Sequence, residues 1–292
     1  MESNRETQAL LSLIDDPDNV VYESVSQRIR CIGKSMIPSL EALWEGTLEE
    51  SLQDRIEMLI HKLHFDELRQ EFGRWSSQDQ PDLLEGSFLV SRYKFPELDL
   101  SGYRKELDRI CKSVWLELNN YLTPLEQINV LNKVLFTYHS FKGVDISYNN
   151  QEDFLVHKLL DTRRGNSIAN GILYQTVCGI LDIPVRAIRI PRQFILAYFD
   201  RNRDQSTSKS RQSSILFYID PMSGQIFTKK DVDHYFGRIS MEPAPEHFKS
   251  MHPRNIIAFQ IEEFAKCFDD EKSRYKQSEL LGLGYELSAD KG

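Results

Sequence analysis

The hydrophobic period of this chain changes at Asp182 and returns to the helical spacing only near its end. Before it, apolar residues recur at the three-to-four spacing of one helix face; after it they bunch into short runs rich in isoleucine, valine and aromatics, at 183–190, 193–199 and 215–219. Many helices followed by a few consecutive strands is the order of an α+β fold. A long helical region of about 180 residues therefore precedes a small β-rich element, and any chemistry has to be built where the two meet.

The first third carries the clearest helical stripes. Ala9, Leu10, Leu13 and Ile14 form one, the Asp15-Asp16-Pro17-Asp18 turn breaks it, and Val21, Val25, Ile29 and Ile32 form the next. Gly33 and Pro38 bracket Met36-Ile37, after which Leu40, Leu43, Leu48, Leu52, Ile56, Leu59, Ile60 and Leu63 continue the period. Helix, Asp-Pro turn, helix, Gly, Ile-Pro, helix resembles a HEAT-type helical pair over one repeat; a generic antiparallel bundle satisfies the same pattern. A polar break at 76–81 marks a boundary. Helical patterns resume over 82–93, 103–122 and 124–136, where Thr123-Pro124 is a favourable helix start, and again over 255–275 on Ile256, Phe259, Ile261, Phe264 and Phe268. The serine-rich stretch 200–214 has almost no apolar anchor and reads as a hairpin loop.

Thirty-six basic against 44 acidic side chains leave a net charge of −8 in 292 residues. That balance argues against a bulk electrostatic grip on nucleic acid or on an anionic membrane. No apolar run reaches the roughly 20 residues of a membrane span, and the first residues lack the basic and apolar regions of a signal peptide. Cys31, Cys111, Cys178 and Cys267 are far apart, without metal-ligand or disulfide spacing. A reducing, cytoplasmic setting is expected, with no metal and no cofactor.

The informative segment is Arg163-Arg164-Gly165-Asn166-Ser167-Ile168-Ala169-Asn170-Gly171-Ile172-Leu173-Tyr174, running through a buried helix into Leu181-Asp182-Ile183-Pro184-Val185-Arg186 and two strands. It resembles a transglutaminase-type core, in which a nucleophilic cysteine opens a central helix packed on a small antiparallel sheet. In that family a histidine opens the second strand and an aspartate before proline closes the third. The helix N-terminus and the imidazole lower the thiol pKa, and the aspartate orients the ring. Placed on this chain, the three positions read Ser167, Gln193 and Asp220, the last within Ile219-Asp220-Pro221. Losing nucleophile and base together forfeits on the order of a millionfold in rate.

Upstream segments narrow the likeness: 82–87, Phe95-Pro96-Glu97-Leu98-Asp99, Leu131-Asn132-Lys133-Val134-Leu135-Phe136 and Phe141-Lys142-Gly143 precede Arg163-Arg164-Gly165. This order is similar to the SirB-one family of bacterial transglutaminase-like proteins over residues 81–228. Together with the polar break and the helical stripes, this divides the chain into a helical, HEAT-like lobe at 1–80, a transglutaminase-like domain at 81–236 (helical over 81–160, core over 161–236) and a helical tail at 237–292. The resemblance further implies a pseudoenzyme that binds a peptide or protein, with Arg163, Arg164 and Asn166 as binding residues. Two alternatives stand: a hydrolase or acyl-transferase using Ser167 with a relocated base, His139 or His157, and an adaptor working through the N-terminal lobe. Each residue also has a plain structural reading. Ser167 or Asn166 can cap a helix, Asp220 can close a turn, Gln193 can be a structural hydrogen-bonder, and the arginine pair can tie the helices to the core.

Overall fold

The computed structural model describes residues 2–200 and 214–288, so the 200–214 loop expectation falls almost wholly outside the described residues. The chain forms two compact units, 1–74 and 75–292.

In the first unit, α1 (Glu2–Ser12), α2 (Asn19–Ile32), α3 (Ile37–Gly46) and most of α4 (Glu50–Ser76) enclose a core centred on Ile14, Ile29, Leu40, Ile56 and Leu59. Asp18 caps α2 by accepting the Val20 amide, and Gly33, at φ +84°, ends it. Only glycine enters that backbone region without strain. The predicted stripes supply most of this core, but Ala9 and Leu13 face solvent, and Leu48 lies ahead of α4 and is exposed.

The second unit holds α5 (Leu83–Arg92), α6 (Ser101–Trp115), α7 (Pro124–Asn132), α8 (Val156–Thr162) and α9 (Ser167–Ile180). Thr123 and Glu126 form a capping box at the start of α7. That helix continues as a π-helical stretch, Lys133–Tyr138. Helix α6 stops at Trp115, short of the predicted 122, since Trp115 and Leu116 point to solvent and the next turn has no apolar face to bury. Two short strands, β1 (Lys142–Gly143) and β2 (Arg164–Gly165), pair in parallel. Then follow β3 (Val185–Ile190), β4 (Gln193–Phe199), β5 (Ile215–Ile219) and β6 (Ile226–Phe227), one antiparallel sheet in that order.

Side-chain alternation gives the sheet two faces. Ile188, Ile190, Ile195, Ala197 and Tyr218 pack with Val232 and Phe236 of α10 (Lys229–Arg238) and with Phe248. The opposite face, with Phe194, meets α9, where a Cβ on Gly171 would lie 2.5 Å from the Phe194 ring. The C-terminal segment, expected as one helix over 255–275, forms α11 (Pro253–Ala265) and α12 (Arg274–Ser288). These helices belong to the second unit's core: Ile256, Ile261 and Phe264 are fully buried, and the Gln260 amide donates to Ser87 Oγ and the Phe154 carbonyl. Among the described residues no helix is long and apolar enough to cross a membrane.

Candidate functional site

Three segments converge where α9 begins. The chain leaves α8 through Arg163, whose left-handed backbone (φ +61°) turns it sharply into β2. Strand β1 locks the turn: the Lys142 amide donates to the Arg163 carbonyl at 2.8 Å and the Val144 amide to the Gly165 carbonyl at 3.0 Å. The third segment is the turn after β5, held by the Gly143 amide donating to the Met222 carbonyl at 3.1 Å. A side chain at 143 would collide with the Met222 backbone, so glycine is required by close approach rather than by its dihedrals.

Asn166 is the N-cap of α9. Its Oδ1 accepts from the Ile168 amide at 3.0 Å and the Ala169 amide at 3.1 Å, while its own amide donates to the Asp153 carbonyl at 2.9 Å. It is fully buried and its Nδ2 has no partner. Asn170, one turn on, donates Nδ2 to the Gly165 carbonyl at 2.6 Å and to the Asn166 carbonyl at 3.0 Å. Ser167 is the first residue of α9 and half-buried, and among the described residues its hydroxyl makes no hydrogen bond.

Asp220 organises the turn beyond β5. Its Oδ1 accepts from the Met222 amide at 3.1 Å and its Oδ2 from Ser223 Oγ at 2.6 Å. The next residue, Pro221, lies against the second turn of α9, 3.4 Å from where a Gly171 Cβ would sit. Asn132 holds the far side, donating Nδ2 to the Gly224 carbonyl at 2.7 Å and accepting the Tyr174 hydroxyl at 2.8 Å. Gly224, at φ +73°, gives that contact its room.

Gln193 sits differently. It opens β4, pairs with Ile190 and is exposed; the preceding hairpin residue, Arg192, takes a left-handed backbone (φ +63°). Since Phe194 faces α9, alternation directs Gln193 to the face that carries Ile195. Among the described residues no hydrogen bond joins Ser167, Gln193 and Asp220.

The arginines divide. Arg163 Nη2 donates to Glu106 Oε1 of α6 at 2.5 Å, and its guanidinium lies 4.9 Å over the Phe141 ring. That hydrogen bond is the main reason the Glu106 carboxyl is held below the usual carboxylate range. Arg164 is mostly exposed, 3.8 Å from the buried carboxylate of Asp153. Arg163 therefore ties α6 to the start of α9, and Arg164 is presented outward.

The two histidines weighed as a relocated base lie in different surroundings. His139 is half-buried and stacked on Phe141 at 6.3 Å; burial, then the charge of Arg163, lowers its pKa. His157 is buried among Phe95, Tyr103 and Phe88, and desolvation lowers its pKa to about 4. Among the described residues neither ring hydrogen-bonds to Ser167. Burial raises the thiols of Cys111 to about 11 and Cys267 to about 12, and pushes Cys178, deep in α9, well above the ordinary value. Among the described residues no group of three or more potential metal ligands lies together.

The residues that build this corner and that the motif did not single out are Asn132, Asn170, Tyr174, Gly143 and Glu106. The first four lie inside segments that carried the resemblance, which is where the signal for them was. The sequence profile of the transglutaminase-like superfamily matches residues 101–259, more than half of the chain. The chain belongs to the transglutaminase-like superfamily. Human F-box only protein 21 is 30% identical over 142 residues, 41% of this chain and 23% of that protein. The mouse protein of the same name is 31% identical over 71 residues, 24% of this chain and 11% of the relative. A UPF0162 protein of Vibrio cholerae is 22% identical over 183 residues, 61% of this chain and 63% of its own length. The chain spans less than a quarter of the length of the F-box relatives it matches. No solved structure matches.

Proposed function

We propose that this transglutaminase-like domain is a pseudoenzyme that binds a peptide or protein at the start of α9, in a reducing cytoplasm, and that its subfamily is the SirB-one type. The observation that carries the reading is the state of Ser167: a hydroxyl at a helix N-terminus with no imidazole bonded to it among the described residues. A serine hydroxyl needs a positioned base to act as a nucleophile, and a carboxamide at 193 cannot supply one. What the corner offers a partner is the outward guanidinium of Arg164 and the dipole of α9, which agree in sign toward a peptide carboxylate or carbonyl.

Two measurements test this. Release of p-nitrophenol from p-nitrophenyl acetate should be the same for the wild-type chain and Ser167→Ala. A Ser167-dependent release sinks the pseudoenzyme. On a random peptide array, Arg164→Glu should lose the peptides that the wild type retains, and an unchanged binding set removes the site. The adaptor reading keeps one supporting observation, a groove between α2 and α4 lined by Tyr22, Gln27, Arg30 and Lys62, over the buried and unpartnered hydroxyl of Ser26. HEAT-like packing of α1–α4 is part of that reading.

A further inference from the structure

The groove between α2 and α4 lies within the first unit and has a volume of about 890 Å³. The two helices run in the same direction. The Arg55 guanidinium lies 4.8 Å over the Tyr22 ring, Arg30 pairs with Asp66 at 2.7 Å and Lys34 with Glu67 at 3.2 Å, so matching positions advance together along both. Lys62, one turn before Asp66, therefore comes level with Ser26, one turn before Arg30. Side chains four apart share a helix face, which sets Glu23, Gln27 and Cys31 in one row along the groove, with Ser26 beside them.

The Ser26 hydroxyl is buried and has no hydrogen-bond partner. Ser24 shows the ordinary behaviour of a helical serine, donating to the Val20 carbonyl four residues back at 2.9 Å. Ser26 makes no such bond to the Tyr22 carbonyl, so the groove contains an unmet polar group, which is unfavourable when nothing fills it. On the rim, Arg30 and Asp66 hold each other, whereas among the described residues Glu23 and Lys62 are in no ion pair. One free carboxylate on α2 and one free ammonium on α4 complement a ligand that carries both signs. Cys31 ends the row, and of the four cysteines it alone is exposed. Burial raises the thiols of the other three.

We infer that Cys31 is a thiol-exchange site, and that the groove between α2 and α4 holds a zwitterionic peptide disulfide of the glutathione class as it reacts. The Cys31 sulfur attacks one sulfur of that disulfide. A new S–S bond forms between them and the original S–S bond breaks. The second sulfur departs with the electron pair as a thiolate and takes up the proton that Cys31 released, so the peptide disulfide is itself the oxidant. Helical rise puts Ser26 about 7.5 Å and Glu23 about 12 Å before Cys31, and an extended tripeptide is about 10 Å long. A tripeptide bonded at Cys31 thus lays its polar groups along Ser26, Lys62 and Glu23. The site does not depend on the reading of Ser167.

Incubation of the full chain with oxidised glutathione, followed by intact-mass and peptide mass spectrometry, tests it. One glutathione should add, at Cys31, and a reducing agent should remove it. The rate should saturate with glutathione disulfide, while neutral bis(2-hydroxyethyl) disulfide, which reports the bare reactivity of the thiol, should react without saturation. The ratio of the two rates should fall about fivefold when Glu23→Gln and Lys62→Gln are combined, and it should also fall in Ser26→Ala. Taking the ratio removes any change in the thiol itself, and an unchanged circular dichroism melt certifies each fold. Addition at another cysteine, no addition, a glutathione rate linear in concentration, or a ratio unmoved by the double variant or by Ser26→Ala overturns the site.

Discussion

At the scale of single residues, two buried side chains carry measurable consequences, Asn166 at the start of α9 and His157 in α8. Asn166 satisfies two amides at the start of the helix. Asn166→Ala should cost about 1 kcal/mol or more in urea denaturation, and serine should restore part of it through the same kind of acceptor. His157 has no polar partner at Nδ1 and sits in an aromatic cage. Its pKa falls to about 4 in the folded chain, from 6.5, so between those values the unfolded state holds the extra proton. Stability contributed by the neutral ring is complete above about pH 6.5 and is lost as pH falls toward 4. Urea midpoints measured across that window should decline with acid, and His157→Phe should flatten the part of the decline that belongs to this ring. A wild-type profile flat from pH 7 to 4 contradicts the burial argument.

At the scale of elements, close backbone approach rather than pattern holds the site together. Gly143 and Gly171 both sit in contacts too tight for a Cβ, but the obstacles differ. At 143 it is the Met222 backbone, and at 171 the ring of Phe194. Backbone yields less than a side chain, so Gly143→Ala should be the more damaging, with overpacking costs of this kind running at about 1–3 kcal/mol. Hydrogen exchange at the Gly143 and Val144 amides should rise in that variant and stay near wild type in Gly171→Ala. Asn132→Ala should also loosen the turn after Asp220, because it strands the buried Tyr174 hydroxyl and frees the Gly224 carbonyl. A loss of about 1–3 kcal/mol is expected by thermal unfolding. Strands Gln193–Phe199 and Ile215–Ile219 were legible in the sequence to the residue, since their β-branched and aromatic runs are bounded by a Pro-Arg hairpin and by Asp-Pro. The π-helical turn at Lys133–Tyr138 was not, because its apolar positions continue the ordinary helical period and the wider turn shows only in the backbone bonding.

At the scale of the whole molecule, the chain is two units with separate cores. Leu59 is fully buried in the first. Leu59→Ala should lose about 2–5 kcal/mol there, seen by hydrogen-exchange mass spectrometry as lost protection across 10–63 while Phe154, Ile172 and Ile261 keep theirs. Simultaneous loss in both regions contradicts independent cores. The composition already argued against a bulk grip on nucleic acid.

The order of periodicities, the cap and turn residues and the helix-start motif were set by the sequence alone, since these depend on neighbours within a few positions along the chain. So was the absence of a cysteine at Ser167, which follows from aligning one motif. Which partners those residues meet was decided only by tertiary structure. Arg163 is committed to Glu106, 57 positions away, while the adjacent Arg164 stays outward. Gln193 shares a motif with Phe194 yet lies on the other face of the sheet, because a strand alternates its side chains and the packing of Gly171 selects which one faces α9. Local rules place residues on elements; which face each element buries is settled by contacts between segments far apart in the chain.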